Sequence, residues 1–299
     1  MHSPKLRIRL FAVPLLAAAL GATGCDKLGL GDDKPPTSPS NPPAGTSIFY
    51  TAVGASDVTG WGSSAPCLLT DCPNGMGYVA VAARQLRAQG YQVGVTNLGL
   101  PTAVISPRFQ SLGQQYGHFV AGNFIDNELP LVPTDATLVT IFAGANDVNV
   151  VTGALGGGAG AGSPATYIDD QVRAFGEDFA TLLNRIRGTA RSARVVVLNL
   201  PNLAGLPYLS NAGLPQRQAA QRASVGITRT VVNPAQSPNV VVIDLMCDAR
   251  MYQRSTFSDD GFHPNDAGYG FLAGEVVRAA TATGYPAPAA SCPQMNLVP

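Results

Sequence analysis

Five short apolar runs alternate with helix-length segments along most of this chain, and the alternation limits the folds open to it. Each run is rich in β-branched residues and nearly continuous in apolar character, as expected for strands covered on both faces. The runs are Ile48 to Val53, Tyr91 to Leu98, Thr137 to Phe142, Arg194 to Leu200 and Val240 to Leu245. Such alternation indicates a parallel sheet with right-handed crossovers. The sequence therefore predicts an α/β protein, a three-layer α/β/α sandwich around a mostly parallel, five-stranded sheet.

Helix-length segments lie between the predicted strands. They are Gly77 to Gln89, Ser106 to Glu128, Ala165 to Arg187 and Pro215 to Val232, with a last helix from about Asn265 to Ala282. One segment differs from these, because Gly153 to Gly162 is too rich in glycine to favour a regular element. We interpret it as a mobile loop. Whether this loop borders the active site stays open. Its match to a dinucleotide-binding pattern carries no weight, since it does not directly follow a strand.

Charge and composition exclude several classes of partner. Lys+Arg and Asp+Glu each number 19, so the formal net charge is zero. No basic field is available to attract nucleic acid, and no acidic block suggests a solvating tail. Hydrophobic residues make up 45% of the chain, enough for a substantial core. A small-molecule or lipid-like partner fits this balance better than a polyanion, and we expect a monomer that binds no nucleic acid.

The first 24 residues are typical of an export signal. Lys5, Arg7 and Arg9 form a positive region, and an apolar run follows from Leu10 to Leu20. A membrane helix needs about 20 apolar residues, so a permanently retained anchor helix is the disfavoured alternative. Residues 1–24 are therefore predicted to be a signal peptide.

The predicted signal ends at a candidate lipid-attachment site. The sequence Ala-Thr-Gly-Cys that ends at Cys25 resembles a bacterial lipobox, whose cysteine is lipidated and becomes the mature N terminus. Because Ala22 stands where that pattern prefers leucine, ordinary cleavage and secretion stay open as the alternative. Residues 25–46 are polar and proline-rich and predict a disordered tether. We expect a cell-envelope lipoprotein in which residues 47–299 form a single domain.

Four cysteines remain beyond Cys25, and an even number in an exported chain predicts two disulfides. Of the three possible pairings, we favour Cys67–Cys72, which closes a short loop, and Cys247–Cys292, which ties the C-terminal tail to the domain. A zinc site is the competing interpretation, but the chain has no Cys-x-x-Cys pair and no accompanying histidine cluster. No metal and no cofactor are expected.

Histidine is scarce, and this narrows the choice of a general base. His2 leaves with the signal, and His118 lies in a helix-like stretch. His263 lies in a loop just before the last predicted helix, three residues after Asp260. A loop histidine that follows an acid at this distance is the better candidate for an oriented base. A solvated turn histidine is the alternative.

Three loops that follow predicted strands carry the partners of such a base. Ser56 directly follows the first strand, where ligands bind in a parallel sheet, although a serine there could also be a plain helix N-cap. The Gly-x-Ser-x-Gly motif of ordinary α/β-hydrolases is absent. Gly99 follows the second strand and Asn146 the third. A glycine N–H and an asparagine amide would together supply donors for a developing oxyanion.

In this order the residues resemble the four blocks of the GDSL/SGNH hydrolase family, which center on Ser, Gly, Asn and His. Ser56, Gly99, Asn146 and His263 match these blocks, and Asp260 completes the Asp-x-x-His of the fourth. The resemblance covers roughly residues 48–282, and four blocks in order are far more specific than any one of them.

One residue departs from the family pattern. Ala55 stands where the first block usually has aspartate, so a supporting carboxylate is lost or displaced there. We expect this change to affect the fine positioning of the turn rather than the chemistry.

The resemblance implies a flavodoxin-like SGNH hydrolase fold and a serine hydrolase that cleaves short or medium acyl esters, or lipids. His263 would take the proton of Ser56, and Asp260 would orient the imidazole. The N–H groups of Ser56 and Gly99, with the Asn146 amide, would hold the oxyanion. A carbohydrate O-deacetylase of the envelope is the alternative enzyme. A non-catalytic binding lipoprotein with the same fold is the alternative from another class.

Overall fold

A computed structural model describes residues 45–68 and 71–299 of the chain. The predicted signal peptide, the lipid-attachment site at Cys25 and nearly all of the predicted tether lie outside the described residues. Within the described part, no helix combines the length and the apolar character needed to cross a bilayer.

Five strands form one sheet in the order β2-β1-β3-β4-β5, and every neighbouring pair is parallel. The strands are β1 (Ser47–Gly54), β2 (Gln92–Asn97), β3 (Leu138–Phe142), β4 (Arg194–Leu198) and β5 (Val240–Ile243). This order is that of flavodoxin-like, doubly wound sheets. The predicted fold class is therefore confirmed, with a sheet that is wholly parallel.

Seven α-helices accompany the sheet among the described residues. They are α1 (Ser56–Thr59), α2 (Tyr78–Ala88), α3 (Pro107–Gln115), α4 (Ala145–Gly156), α5 (Pro164–Thr189), α6 (Leu214–Ile227) and α7 (Asp266–Thr281). Helix α2 packs against α7 on one side, whereas α4 packs against α3, α5 and α6 on the other. The sheet is thus covered on both faces, which explains the unbroken burial of β3 and β5.

The long helix predicted from Ser106 to Glu128 is wrong. Helix α3 ends at Gln115, and a separate π-helical turn follows at Phe124–Glu128. Gly117 adopts a left-handed φ of 72°, and the N–H of His118 donates to the carbonyl of Gly113. These are the features of a Schellman C-cap, which ends a helix at a glycine. His118 consequently lies in an exposed turn outside the helix.

The interpretation of Gly153 to Gly162 as a loop is wrong for its first four residues. Helix α4 continues to Gly156, and irregular turns follow it up to Gly162. Apolar side chains of α4 such as Val148 and Val151 are buried in the core. Burial of this face outweighs the unfavourable helix propensity of the glycines.

Both favoured cysteine pairs are present as disulfides. Cys67 is bonded to Cys72, and Cys247 to Cys292. The second bond joins the region after β5 to the C-terminal segment, 45 residues further along the chain. The two bonds suit an oxidising compartment.

Candidate active site

The turn that carries Ser56 depends on a glycine at the end of β1. Gly54 pairs with Phe142 of β3 and has a φ of 153°. A Cβ atom there would lie 2.6 Å from the Phe142 carbonyl oxygen, so only glycine permits this close approach. The chain then turns through Ala55 into α1, whose first residue is Ser56. This places the serine at the carboxyl edge of the sheet, where ligands bind in such folds.

Ser56 and His263 meet at this edge although 207 residues separate them in sequence. The Ser56 Oγ lies 2.8 Å from His263 Nε2, and His263 Nδ1 lies 2.6 Å from an Asp260 carboxylate oxygen, Oδ2. Ser56 is only 6% exposed. A hydroxyl, an imidazole and a carboxylate in this order are the arrangement that activates a serine nucleophile.

Asp260 is held by more than its bond to the imidazole. Its Oδ1 accepts the backbone N–H groups of Phe262 and His263 at 2.8 and 2.9 Å and the Ser258 hydroxyl at 2.8 Å. Partial burial opposes ionisation, but these bonds and the one from His263 lower the pKa of Asp260 to about 2. The carboxylate is therefore charged at neutral pH, fixed in orientation, and able to stabilise a protonated imidazole.

Aromatic and backbone contacts hold the loop of His263. The Phe262 ring packs edge-on against the His263 ring at 4.9 Å and against the Tyr208 ring at 4.8 Å. On the other side, a Cβ at Gly62 would lie 2.8 Å from that of His263, so the Trp61-Gly62 loop packs closely here. Trp61 itself is 50% exposed and lies at the rim of the site rather than in the core.

Asn146 lies in the first turn of α4, next to the end of β3. Its Nδ2 donates to the Ala103 carbonyl at 2.9 Å. An amide NH₂ group carries two hydrogens, so one fixes the side chain and the second stays available for a ligand. This arrangement supports the oxyanion role expected for Asn146.

Gly99 does not offer a free donor in this structure, contrary to the expectation from the sequence. Its N–H donates to Asn97 Oδ1 at 2.9 Å, and Asn97 Nδ2 donates to the Val58 carbonyl at 3.0 Å. A Cβ at Gly99 would touch Val58 and Thr59, so the residue packs tightly against α1. Asn97, which sequence reasoning passed over, thus ties the end of β2 to the helix that carries Ser56.

Thr102 is the one non-glycine residue with a left-handed backbone among those described, with a φ of 66°. This conformation costs roughly 1–2 kcal/mol for an L-residue, and such strain concentrates at functional sites. The residue precedes Ala103, whose carbonyl accepts from Asn146. Within the described residues, the N–H of Thr102 has no hydrogen-bond acceptor. No pattern in the sequence marks this position.

Two buried carboxyl groups support the loops of the site. Glu128 reaches from the π-helical turn to β1 and accepts the Gly54 N–H at 2.8 Å, and burial raises its pKa well above the usual range. It supplies a carboxyl group beside the Ser56 turn, which lacks the family's usual aspartate at Ala55. Asp147 accepts the Ile105 N–H at 2.9 Å, and burial raises its pKa to about 7. Sequence reasoning missed Glu128, because no motif links this residue to the turn that it supports, 74 residues away.

Comparison with known families and structures gives a consistent result. The model of the GDSL-like Lipase/Acylhydrolase family matches residues 52–271. The solved lipase Lip_vut3 from a goat rumen metagenome is 18% identical, with a TM-score of 0.55 over 78% of this chain and 97% of that one. An extracellular lipase from Streptomyces rimosus is 20% identical, with a TM-score of 0.53 over 78% of this chain and 100% of that one. At such identities, the two structures establish a shared fold alone. No curated protein sequence matches the chain.

Proposed function

Since this chain belongs to the GDSL-like lipase/acylhydrolase family, we propose that it is a serine hydrolase that cleaves carboxylic esters through an acyl-enzyme on Ser56. The observation that carries the proposal is the continuous hydrogen-bonded path from Ser56 through His263 to Asp260. The bond from Ser56 to His263 is short enough for proton transfer, and the bond from His263 to Asp260 is short enough to orient the ring.

Acylation begins when the Ser56 Oγ attacks the ester carbonyl carbon while His263 Nε2 takes the hydroxyl proton. The imidazolium is stabilised by the Asp260 carboxylate at Nδ1, and it then passes the proton to the departing alkoxide. Water then attacks the carbonyl carbon of the acyl-enzyme while His263 again acts as the base. The carboxylic acid is released and the Ser56 hydroxyl is restored. Asp260 stays ionised throughout.

The oxyanion formed in each half-reaction requires donors placed in advance. We assign this role to the Ser56 N–H and to the free Nδ2 hydrogen of Asn146. The third donor expected from the sequence, the Gly99 N–H, would first have to leave Asn97. The Thr102 N–H, which has no competing acceptor among the described residues, is the alternative that the structure leaves available.

A carbohydrate O-deacetylase is the second candidate function. The exposed ring of Trp61 favours it, because the neighbouring Gly62 contacts His263 and a flat aromatic face can stack against a sugar. Turnover of acetylated sugars beside p-nitrophenyl esters separates the two candidates.

We also propose that the protein acts in the cell envelope as a monomer, anchored by lipid on Cys25. The two disulfides support an oxidising compartment. Intact-mass measurement after export tests the anchor, since an unlipidated chain that starts elsewhere would contradict it.

The proposed mechanism predicts a contrast between the two histidines of the mature chain. We expect Ser56→Ala and His263→Ala to lose nearly all turnover of p-nitrophenyl acetate and to keep the far-UV circular dichroism of the wild type, because both are small changes at the edge of the sheet. His118→Ala should retain acetate turnover, since this side chain is exposed in the turn after α3. A folded His263→Ala variant with normal turnover would contradict the proposed function.

A further inference from the structure

A groove of about 1320 Å³ opens on the side of the molecule where α4, the start of α5 and α6 come together. The C-terminal segment near Met295 forms a further edge. The glycine-rich stretch that begins at Gly153 contributes several of the lining residues. The volume is that of a site for a ligand larger than an acetyl group.

One face of α4 carries both the proposed oxyanion donor and residues that line this groove. Asn146, Asn149, Gly153 and Gly156 follow one another at spacings of three and four residues, so they share that face. At a rise of about 1.5 Å per residue, the face extends about 15 Å from Asn146 to Gly156. A Cβ at Gly156 would meet no atom within 4 Å, which shows open space beside the helix.

Tyr208 joins the inner end of the groove to the general base. Its hydroxyl donates to Asn149 Oδ1 at 2.9 Å, one helical turn beyond Asn146. Its ring contacts Phe262, which in turn contacts the His263 ring. Tyr208 therefore connects the lining of the groove to the helix that carries the proposed oxyanion donor and, through Phe262, to the proposed general base.

The lining of the groove is more apolar than polar, which suits an acyl chain better than a charged ligand. Leu155, Ile168, Val225 and Met295 contribute apolar surface. Arg222, the guanidinium among the lining residues, is already paired with Asp169 at 2.5 Å. Tyr208 is the only Phe, Tyr or Trp side chain among the described residues that line the groove, so it lacks the stacked aromatic faces expected of a sugar site.

We propose that this groove binds the acyl chain of a medium- or long-chain ester whose carbonyl carbon lies at Ser56. The inference rests on the proposed function and adds the substrate class. The glycines of α4 have a specific role in it, because larger side chains at those positions would fill the path of the chain.

The test compares p-nitrophenyl acetate with p-nitrophenyl decanoate in the wild type and in Gly156→Phe. We expect kcat/KM for decanoate to fall at least tenfold in the variant and acetate turnover to change less than twofold. Tenfold corresponds to about 1.4 kcal/mol, roughly the burial of two methylene groups. The smaller Gly156→Leu variant should show the same selectivity if Gly156→Phe folds poorly.

Gly188→Phe is the matched control, because Gly188 also lies in the last turn of a helix with no atom within 4 Å of its Cβ position. It should leave both esters unaffected. Unchanged decanoate turnover in folded Gly156 variants overturns the inference, as does an equal loss for both esters. Failure of the wild type to hydrolyse either ester would instead overturn the proposed function, so the two failures are distinguishable.

Discussion

At the scale of single residues, the bond from Asn146 to the Ala103 carbonyl determines what the amide can do. One of its hydrogens is engaged before any substrate arrives, so the second has a fixed direction. Donors fixed in advance stabilise a developing charge without reorganising during the reaction. Asn146 thus fits a role in the transition state better than a role in substrate binding.

We therefore predict that Asn146→Ala lowers kcat for p-nitrophenyl acetate by about 100- to 1000-fold, the usual loss for one oxyanion donor. KM should change much less, because the bond strengthens only as charge develops on the oxygen. Steady-state kinetics measure both. Asn184→Ala, on the exposed face of α5, is the control and should behave as the wild type. An unchanged kcat would remove Asn146 from the site.

At the level of residues, the sequence identifies candidates whose chemistry is rare but does not show which donors the backbone geometry leaves available. Ser56, Asp260 and His263 could be selected because histidine is scarce and an acid precedes the loop histidine, and the structure brings all three together. Gly99 was selected for its residue type, but its N–H is engaged by Asn97. The strained backbone of Thr102 has no counterpart in the sequence pattern.

At the scale of elements, α4 is fixed to the neighbouring loop by the buried Asp147. Burial raises the pKa of this carboxyl to about 7, helped by nearby Asp178 and opposed by the Ile105 N–H. The unfolded chain loses the same proton near pH 3.8, the usual value for aspartate. Between about pH 4 and pH 7 the folded state therefore binds more protons than the unfolded state, so stability falls as the pH rises.

Asp147→Asn should remove the fall in stability with rising pH, because an amide does not titrate and its oxygen still accepts the N–H of Ile105. The free energy of unfolding of the variant, relative to the wild type, should rise between pH 4 and pH 7 and stay level above. The full difference is on the order of 4 kcal/mol at 1.36 kcal/mol per pKa unit. Thermal unfolding at several pH values measures it, with the surface substitution Asp170→Asn as control. Parallel stability profiles for Asp147→Asn and the wild type would contradict the assignment.

Helices α3 and α4 show why the boundaries of helices were harder to predict than the positions of strands. The strands are short apolar runs, and all five were placed within a few residues. The predicted helix from Ser106 to Glu128 overlooked the positive φ of Gly117, which caps α3 just beyond its last residue, Gln115. Helix α4 was missed because its glycines suggested a loop, while its stability comes from apolar contacts that form only in the folded domain.

At the scale of the whole molecule, the two disulfides close loops of very different length. Cys67–Cys72 spans five residues, whereas Cys247–Cys292 spans 45. Removing a crosslink restores entropy to the unfolded chain, and the effect grows with the logarithm of loop length.

Replacement of both Cys247 and Cys292 by alanine should lower the free energy of unfolding by about 4 kcal/mol, against about 2 kcal/mol for the pair Cys67 and Cys72. Urea unfolding of the two double variants measures the difference. A larger loss from the shorter loop would contradict the expectation.

The global architecture was predicted from the alternation of strands and helices, and this prediction is confirmed. Cysteine counts alone allow three pairings, and the favoured one, which was chosen on loop closure, is present in the structure.

The separation of 207 residues between Ser56 and His263 makes ester turnover a reporter of complete folding. A parallel sheet has no local hairpins, so every strand pair closes a long loop before it gains contacts. The serine follows the first strand, at the start of α1, and the histidine lies in the loop after the last strand. In a nascent or truncated chain that lacks the last loop, the Ser56 hydroxyl therefore has no general base and is unreactive. In a refolding experiment, hydrolysis would return only with the final docking step, later than the recovery of helical content.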